Sequence, residues 1–213
     1  MRCLNPALLL LIGSVLLGVT IDRIAIVVGN SIIKDSDVVR DLRVTAFLNS
    51  QPLSVDPAAR KAAANRLIDQ VFIRREIRIG DYPRATMEDA EAELTQLEKQ
   101  RFKTPAAFQQ ALRRYGLADL QLREQFQWEL TVLRFIDARF RPAVLITDEE
   151  IQKYYNEHAA DLRREHPGKG SLEDLSGGIR ETLTGEQVNK LFFAWLDEQR
   201  AQAKIKYFEE SLR

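Results

Sequence analysis

Aromatic side chains in the middle of the sequence are the residues best suited to bind a ligand. An exposed group of aromatic rings offers a large apolar surface that can contact many different apolar segments. Trp128 lies off the helical stripe through Phe126 and Leu130, so we expect it to be less buried than they are. Aromatic residues at helical spacing usually pack in a core, and this alternative stays open for each candidate. The candidate binding residues are Phe102, Phe108, Tyr115, Phe126 and Trp128.

Patterns of catalytic and metal-binding residues are missing from the sequence. His158 and His166 lack a spaced Cys, His or paired acidic partner, so solvated loop histidines are the simplest interpretation. Residues 167–171 contain two glycines and a lysine but lack the spacing and the preceding strand of a phosphate-binding loop. A serine nucleophile elbow is absent as well. The sequence therefore predicts no catalytic residue, no metal and no cofactor.

The composition is that of a globular protein with balanced charge. Of 213 residues, 45% are hydrophobic, and 31 basic side chains face 31 acidic ones. Such a chain can bury a core, but it lacks the basic excess that displaces counterions from phosphate, so no nucleic-acid partner is expected. Cys3 is the single cysteine. We therefore expect stability to come from packing rather than from disulfides or thiolate metal sites.

The first 20 residues have the pattern of a secretory signal peptide. Arg2 supplies a positive charge, and residues 7–19 form an apolar run interrupted by Gly13, Ser14 and Gly18. A membrane-spanning helix needs about 20 consecutive apolar residues, which is more than this run supplies. We therefore expect the protein to be exported. Because no Ala-x-Ala cleavage site is present, an uncleaved anchor stays open, and membrane contact is expected only through this segment.

A hairpin is predicted directly after this segment. Two short β-branched runs, residues 24–28 and 31–33, flank Gly29-Asn30, a pair suited to a tight turn. A two-stranded hairpin is marginal in water and needs a further partner. Residues 203–208 alternate apolar and charged side chains and form the other strand candidate. We expect this terminal strand to pair with the hairpin and so to join the two ends of the chain.

Helical patterns fill the sequence between these ends. Capping side chains stand at Asp56, Thr86 and Thr104, and two of them precede a proline. The longest pattern covers residues 117–140 and has one predicted apolar face. The sequence thus predicts a mainly α fold with a small β-sheet, in which the hairpin and the terminal strand close a helical body. The predicted face comprises Leu122, Phe126, Leu130, Leu133, Ile136 and Phe140.

The last part of the sequence is predicted to be less regular. A capping box at Thr147 opens a short helix that reaches about Glu157, and a second box at Thr184 opens the final helix, with Trp195 in the core. The glycine-containing stretch between these helices is predicted to be an irregular connection. The predicted organisation is a signal peptide over residues 1–20, a helical domain over 21–157, an irregular connection over 158–183, and a helix and strand over 184–213 that complete the helical domain.

Five short sequence segments, spread over most of the chain after the signal peptide, occur in an order that is typical of one protein family. They are residues 21–38, 66–70, 115–117, 146–151 and 194–205, and the pair of predicted helices around Thr86 and Thr104 lies between the second and the third. In order and content they resemble the SurA family, periplasmic chaperones for outer-membrane proteins. The resemblance implies a periplasmic protein that binds unfolded outer-membrane proteins and prevents their aggregation without nucleotide or metal. We expect the aromatic-rich segments of such clients to bind in a groove between the helical body and the elements at the chain ends, which are the predicted hairpin, the final helix and the terminal strand.

One region departs from the family pattern. Family members usually carry one or two parvulin prolyl-isomerase domains after the helix that here begins near Thr147, each about 100 residues long. Fewer residues than that separate Glu157 from Thr184, so no such domain fits. Two alternatives stay open beside the chaperone. One is a peptidyl-prolyl isomerase by family membership, and the other is a structural subunit of the cell envelope with one dedicated partner.

Overall fold

The computed structural model describes residues 22–165, 168, 170–208 and 210. The predicted signal peptide over residues 1–20 and His166 lie outside them. The described part is mainly helical with one small sheet, so the predicted fold class is confirmed. The elements are β1 (Ile24–Val28), β2 (Ser31–Lys34), α1 (Asp35–Leu48), α2 (Pro57–Ile79), α3 (Met87–Arg101), α4 (Pro105–Tyr115), α5 (Asp119–Phe140), a short 3-10 helix (Arg141–Ala143), α6 (Asp148–Glu165), α7 (Leu172–Gln202) and β3 (Ile205–Tyr207).

The sheet joins the two ends of the described chain. Its strand order is β2-β1-β3, and both outer strands run antiparallel to β1. Val27 pairs with Ile32 on one side and with Lys206 on the other. Gly29 adopts a φ of 56°, which costs glycine no steric strain, and its N–H donates to the Lys204 carbonyl at 3.0 Å. The predicted pairing of the terminal strand with the hairpin is confirmed.

Three helices begin at the predicted capping residues. The Asp56 carboxylate accepts a hydrogen bond from the Ala59 N–H at 2.8 Å. The Thr86 hydroxyl accepts from the Asp89 N–H at 3.1 Å, and the Asp89 carboxylate accepts from the Thr86 N–H at 2.7 Å. The Thr104 hydroxyl accepts from the Ala107 N–H at 3.2 Å at the start of α4. These bonds satisfy backbone donors that the first helical turn leaves unpaired, so α2, α3 and α4 begin where the sequence indicates.

The first core lies where the sheet meets α1, α2, α5 and α7. Ile26 of β1 and Ile68 of α2 are completely buried in it. Phe135 of α5 contacts Trp195 of α7, with their ring centroids 5.7 Å apart. Only 9% of the Trp195 surface is exposed, so its predicted place in the core is confirmed.

Helix α5 is buried on different sides along its length. Leu133 lies on the predicted apolar face but is 62% exposed, whereas Phe135, which is not on that face, is completely buried. Leu122 and Phe140 are about five turns apart on one side of the helix, and Phe135 lies on roughly the opposite side. The single-face prediction is wrong at Leu133 because α5 packs against a second core near Leu122 and against the first core near Phe135.

Most of the segment predicted to be irregular is helical. Helix α6 continues to Glu165 instead of ending near Glu157, and α7 begins at Leu172 instead of at Thr184. The prediction of an irregular connection over residues 158–183 is therefore wrong for residues 158–165 and 172–183.

The start of α7 is held by a cap and by a third core. The Ser171 hydroxyl accepts a hydrogen bond from the Asp174 N–H at 3.2 Å. Apolar residues of α7 then pack against α6 and the segment before it, and this burial outweighs the low helix propensity of Gly177 and Gly178. The buried residues of this third core are Ile146, Ile151, Leu175 and Ile179.

Candidate peptide-binding site

The second core joins the end of α1 to α3, α4 and α5, and Phe47 is its central aromatic residue. Phe47 is 1% exposed. Its ring stacks on that of Phe102 at 6.2 Å between centroids, and it makes edge contacts with Phe108 at 6.3 Å and Tyr115 at 5.6 Å. Aromatic pairs of this kind contribute about 0.5–1.5 kcal/mol each beyond their buried area. The cluster therefore fixes the positions of several rings at once.

An open pocket of about 830 Å³ lies at the surface of this cluster, and we call it the aromatic pocket. Phe47, Phe102 and Tyr115 line it. Phe102 and Tyr115 are half-buried, so each keeps part of its surface accessible. The Tyr115 hydroxyl donates to the Gln51 carbonyl at 2.9 Å, which orients the ring. The exposed Gln110 side chain adds a polar group to the lining.

The aromatic pocket is positively charged. Three arginines line it, and no carboxylate of the described residues does. Arg101 donates to the carbonyls of Phe47 and Leu48, both at 2.9 Å, and so caps the end of α1. Arg113 and Arg114 are exposed and form no ion pair with any carboxylate that the structure describes. The pocket thus combines an apolar aromatic surface with two cationic groups that lack an acidic partner in this part of the chain.

A second surface, which we call the Trp128 groove, lies between α2 and α5. The Arg74 guanidinium is 3.8 Å from the centroid of the Trp128 ring, a cation–π arrangement. Partial burial lowers the pKa of Arg74, which nevertheless stays charged at neutral pH. Cavities of about 300 Å³ and 590 Å³ flank this pair, and Glu124 lines both. The amide side chains that line them are Gln70, Gln121, Gln125 and Gln127.

A third cavity, which we call the terminal groove, lies between α2 and the terminal elements. Its volume is about 560 Å³, and Val28, Phe72 and Ala203 are among its lining residues. This is the place where the sequence predicts a client-binding groove. None of the five candidate aromatic residues lines it. The expected groove and the expected binding residues therefore lie at different surfaces.

The structure brings four of the five candidate residues into one cluster. Phe102, Phe108, Tyr115 and Phe126 all belong to the second core or pack against it. Phe108 is only 2% exposed, so it supports the pocket instead of facing a ligand. Trp128 packs against the first core and lines the Trp128 groove. Phe126 and Trp128 are both half-buried, so the expected difference between them is not seen.

Among the residues of the aromatic pocket, the sequence did not indicate Phe47, Arg101, Arg113 or Arg114 as binding residues. Arg113 and Arg114 have the pattern of a solvated helix face. Phe47 belongs to the apolar spacing of α1, which marks it as a core residue but not as a neighbour of Tyr115. Arg101 ends α3, where a basic residue is common, and nothing near it in the sequence indicates its contact with α1. Both contacts join residues far apart in the chain, so no local pattern indicates them.

Within the described residues, no group of three His, Cys, Asp or Glu is placed to hold a metal ion. His158 is exposed but lies on α6 rather than in the predicted loop, because α6 continues past Glu157. Its ring stacks on that of Tyr154 at 4.1 Å between centroids, and its Nδ1 lies 2.9 Å from the Tyr154 carbonyl. No helix in the described part of the chain is long and apolar enough to span a membrane.

Comparisons with known protein families and with curated proteins gave no match. The likeness to the SurA family therefore stays a prediction that rests on the five sequence segments.

Proposed function

We propose that this protein is a periplasmic chaperone that binds unfolded outer-membrane proteins and prevents their aggregation without nucleotide. The aromatic pocket is the structural observation that supports client binding, whereas the compartment and the client class rest on the resemblance to the SurA family. Its rings are held in place by the second core, yet Phe102 and Tyr115 keep accessible surface. Burying about 100 Å² of a client side chain against them would contribute about 2.5 kcal/mol. Contacts of this size are weak and reversible, which suits a protein that holds its clients and then releases them.

The Trp128 groove supports the same proposal through its polar groups. Gln121, Gln125 and Gln127 each make one hydrogen bond within the fold and keep further amide donors or acceptors. These remaining groups can pair with the backbone of an extended chain of any sequence. Trp128 adds an aromatic face beside them. Such a mixture of apolar surface and adaptable polar groups favours many clients over one specific ligand.

The test is suppression of aggregation. A denatured outer-membrane β-barrel protein is diluted into nucleotide-free buffer with the purified protein, and light scattering is followed. We expect scattering to fall, and we expect a Phe102→Ala/Tyr115→Ala variant to lose most of this effect. Phe193→Ala is the control, because Phe193 is 60% exposed on α7 and does not line the aromatic pocket. Undiminished aggregation at several-fold excess of protein would refute the chaperone proposal.

Two measurements separate this proposal from the alternatives left open by the sequence. Catalysis of cis/trans exchange in a proline peptide by the same sample would favour the isomerase. Capture of a single stoichiometric partner from an envelope extract, where a chaperone returns many clients, would favour the structural subunit.

A further inference from the structure

We infer that the aromatic pocket selects client segments in which an aromatic residue lies beside an acidic one. This inference rests on the proposed function, because it specifies the segment that the same pocket holds. A pocket lined only by apolar side chains would accept any apolar segment. The arginines that line the aromatic pocket add a preference for segments that also carry negative charge.

Two of the three arginines in the pocket are available to a ligand. Arg101 is occupied by the carbonyls at the end of α1, where it stabilises the fold. Arg113 and Arg114 lie in the last turn of α4, and their charge complements the helix dipole there. Both side chains are nevertheless exposed and line the pocket, and neither has a carboxylate partner among the described residues.

The positions of these groups define a ligand with two parts. Phe102 and Tyr115 offer ring surface for an aromatic side chain, and Arg113 and Arg114 directly precede Tyr115 on the same helix. An acidic residue next to the aromatic one along an extended segment would bring its carboxylate to these guanidinium groups. Arginine pairs well with a carboxylate because its planar fork of donors matches the two oxygens.

A peptide fits this pocket better than a lipid does. An acyl chain is best held in a long, enclosed apolar cavity, whereas this pocket is open and its lining includes Ser50 and Gln110. Those polar groups can bond the backbone of an extended peptide. We therefore name an unfolded polypeptide as the occupant.

The experiment compares two short fluorescent peptides with blocked ends by fluorescence anisotropy. One carries Phe between two Asp residues, and the other carries Phe between two Lys residues. We expect the acidic peptide to bind at least about fivefold more tightly, since two exposed ion pairs contribute modestly, and we expect added salt to reduce the difference. In an Arg113→Gln/Arg114→Gln variant the preference should disappear. Gln has a helix propensity close to that of Arg, so α4 should be preserved.

The matched control is an Arg75→Gln/Lys204→Gln variant. It removes two exposed basic side chains that line the terminal groove and leaves the aromatic pocket unchanged. This variant should keep the preference for the acidic peptide. Loss of the preference in this control, but not in the α4 variant, would overturn the inference and place acidic segments in the terminal groove.

Aggregation suppression, measured on the same samples, separates this inference from the proposed function. Equal binding of both peptides with suppression intact would overturn the inference and leave the chaperone function standing. Binding of phosphatidylglycerol vesicles that depends on Arg113 and Arg114, without binding of the acidic peptide, would also overturn it, in favour of a lipid. Absence of both peptide binding and suppression would refute the proposed function and the inference together.

Discussion

Phe47 is the central aromatic residue of the second core, and it also forms the base of the aromatic pocket. At 1% exposure it offers a ligand almost no surface, so it supports the pocket as Phe108 does. Phe102 and Tyr115 are half-buried and contribute more accessible surface. Ligand binding is therefore better tested at those two residues, and Phe47 is the better probe of how the second core stabilises the fold.

We expect Phe47→Ala to lower the free energy of unfolding by about 3–5 kcal/mol, because it leaves a cavity among three aromatic rings. Urea denaturation monitored by circular dichroism measures the change. Leu133→Ala is the control, since Leu133 is 62% exposed and should cost less than about 0.5 kcal/mol. Similar losses of unfolding free energy in both variants would contradict the assignment of Phe47 to the second core.

Asp41 predicts a pH dependence of stability. Burial raises the pKa of its carboxyl, although the hydrogen bond and charge of Arg66 oppose this. A carboxyl whose pKa is higher in the folded protein binds protons more readily when folded. Its contribution to stability is therefore present at low pH and is lost as the pH rises through its folded pKa.

The measurement compares the wild-type protein with Asp41→Asn, which cannot titrate. Between about pH 3 and about pH 6, the difference in unfolding free energy should shift in favour of the variant as the pH rises. Asp22, Asp56 and Asp89 have pKa values lowered mainly by hydrogen bonds, which gives the opposite trend, but they are shared by both proteins and cancel. A shift in favour of the wild-type protein would contradict a raised pKa for Asp41.

Sequence patterns identified candidate residues better than they identified contacts. The aromatic candidates Phe102 and Tyr115 do line a pocket, since a local density of rings is visible in the sequence. Their contact with Phe47 is not visible, because it depends on how α1 packs against α4. Leu133 shows the same limit, because helical spacing indicates a face but not which neighbours cover it.

At the scale of elements, the start of α7 is the clearest difference between the predicted and the observed fold. Thr184 has the sequence pattern of a cap, yet in the structure its hydroxyl donates to the Arg180 carbonyl at 2.7 Å, one turn earlier in a continuous helix. Ser171 provides the actual cap. The pattern around Thr184 could not reveal this, because the burial of Leu175 and Ile179 against α6 extends the helix.

Paired substitutions test this assignment. We expect Ser171→Ala to reduce stability by about 1 kcal/mol through loss of the cap. Thr184→Ala should be neutral or slightly stabilising, because alanine has the higher helix propensity inside a helix. Chemical denaturation of both variants measures these changes. The reverse order of effects would mean that α7 begins at Thr184.

The other helix starts were predictable because their signals are local. A capping side chain followed by proline places the first turn of α2 and of α4 without knowledge of the rest of the fold. The hairpin was predictable for a similar reason, since Gly29-Asn30 suits a tight turn between two β-branched runs.

For the whole molecule, β3 is the element that joins the two ends of the fold. Its residues pair with β1, and the Phe208 N–H donates to the Ala25 carbonyl at 2.9 Å. The β1 strand is buried in the first core between its two neighbours. Loss of β3 would leave one edge of β1 unpaired, so we expect the terminal strand to stabilise the entire first core.

Lys206→Pro tests this expectation, because proline has no N–H and disrupts pairing in the middle of a strand. We expect amide hydrogen exchange in β1 to become faster and the unfolding free energy to fall by about 2 kcal/mol or more. Lys206→Thr removes the same charge but keeps the N–H. It should therefore change neither the hydrogen exchange in β1 nor the unfolding free energy strongly. Unaltered protection of β1 in the proline variant would show that β3 is dispensable.

The client-binding site is tested by finding where an unfolded client lies on the protein. A photo-crosslinking benzophenone amino acid is placed at Gln110 in the aromatic pocket or, as a matched exposed glutamine, at Gln202 in the terminal groove. Each variant is irradiated with a denatured outer-membrane β-barrel protein. We predict adducts from Gln110 and only background from Gln202. Adducts from Gln202 alone, or from neither position while aggregation is suppressed, would contradict the assignment of the aromatic pocket as the client-binding site.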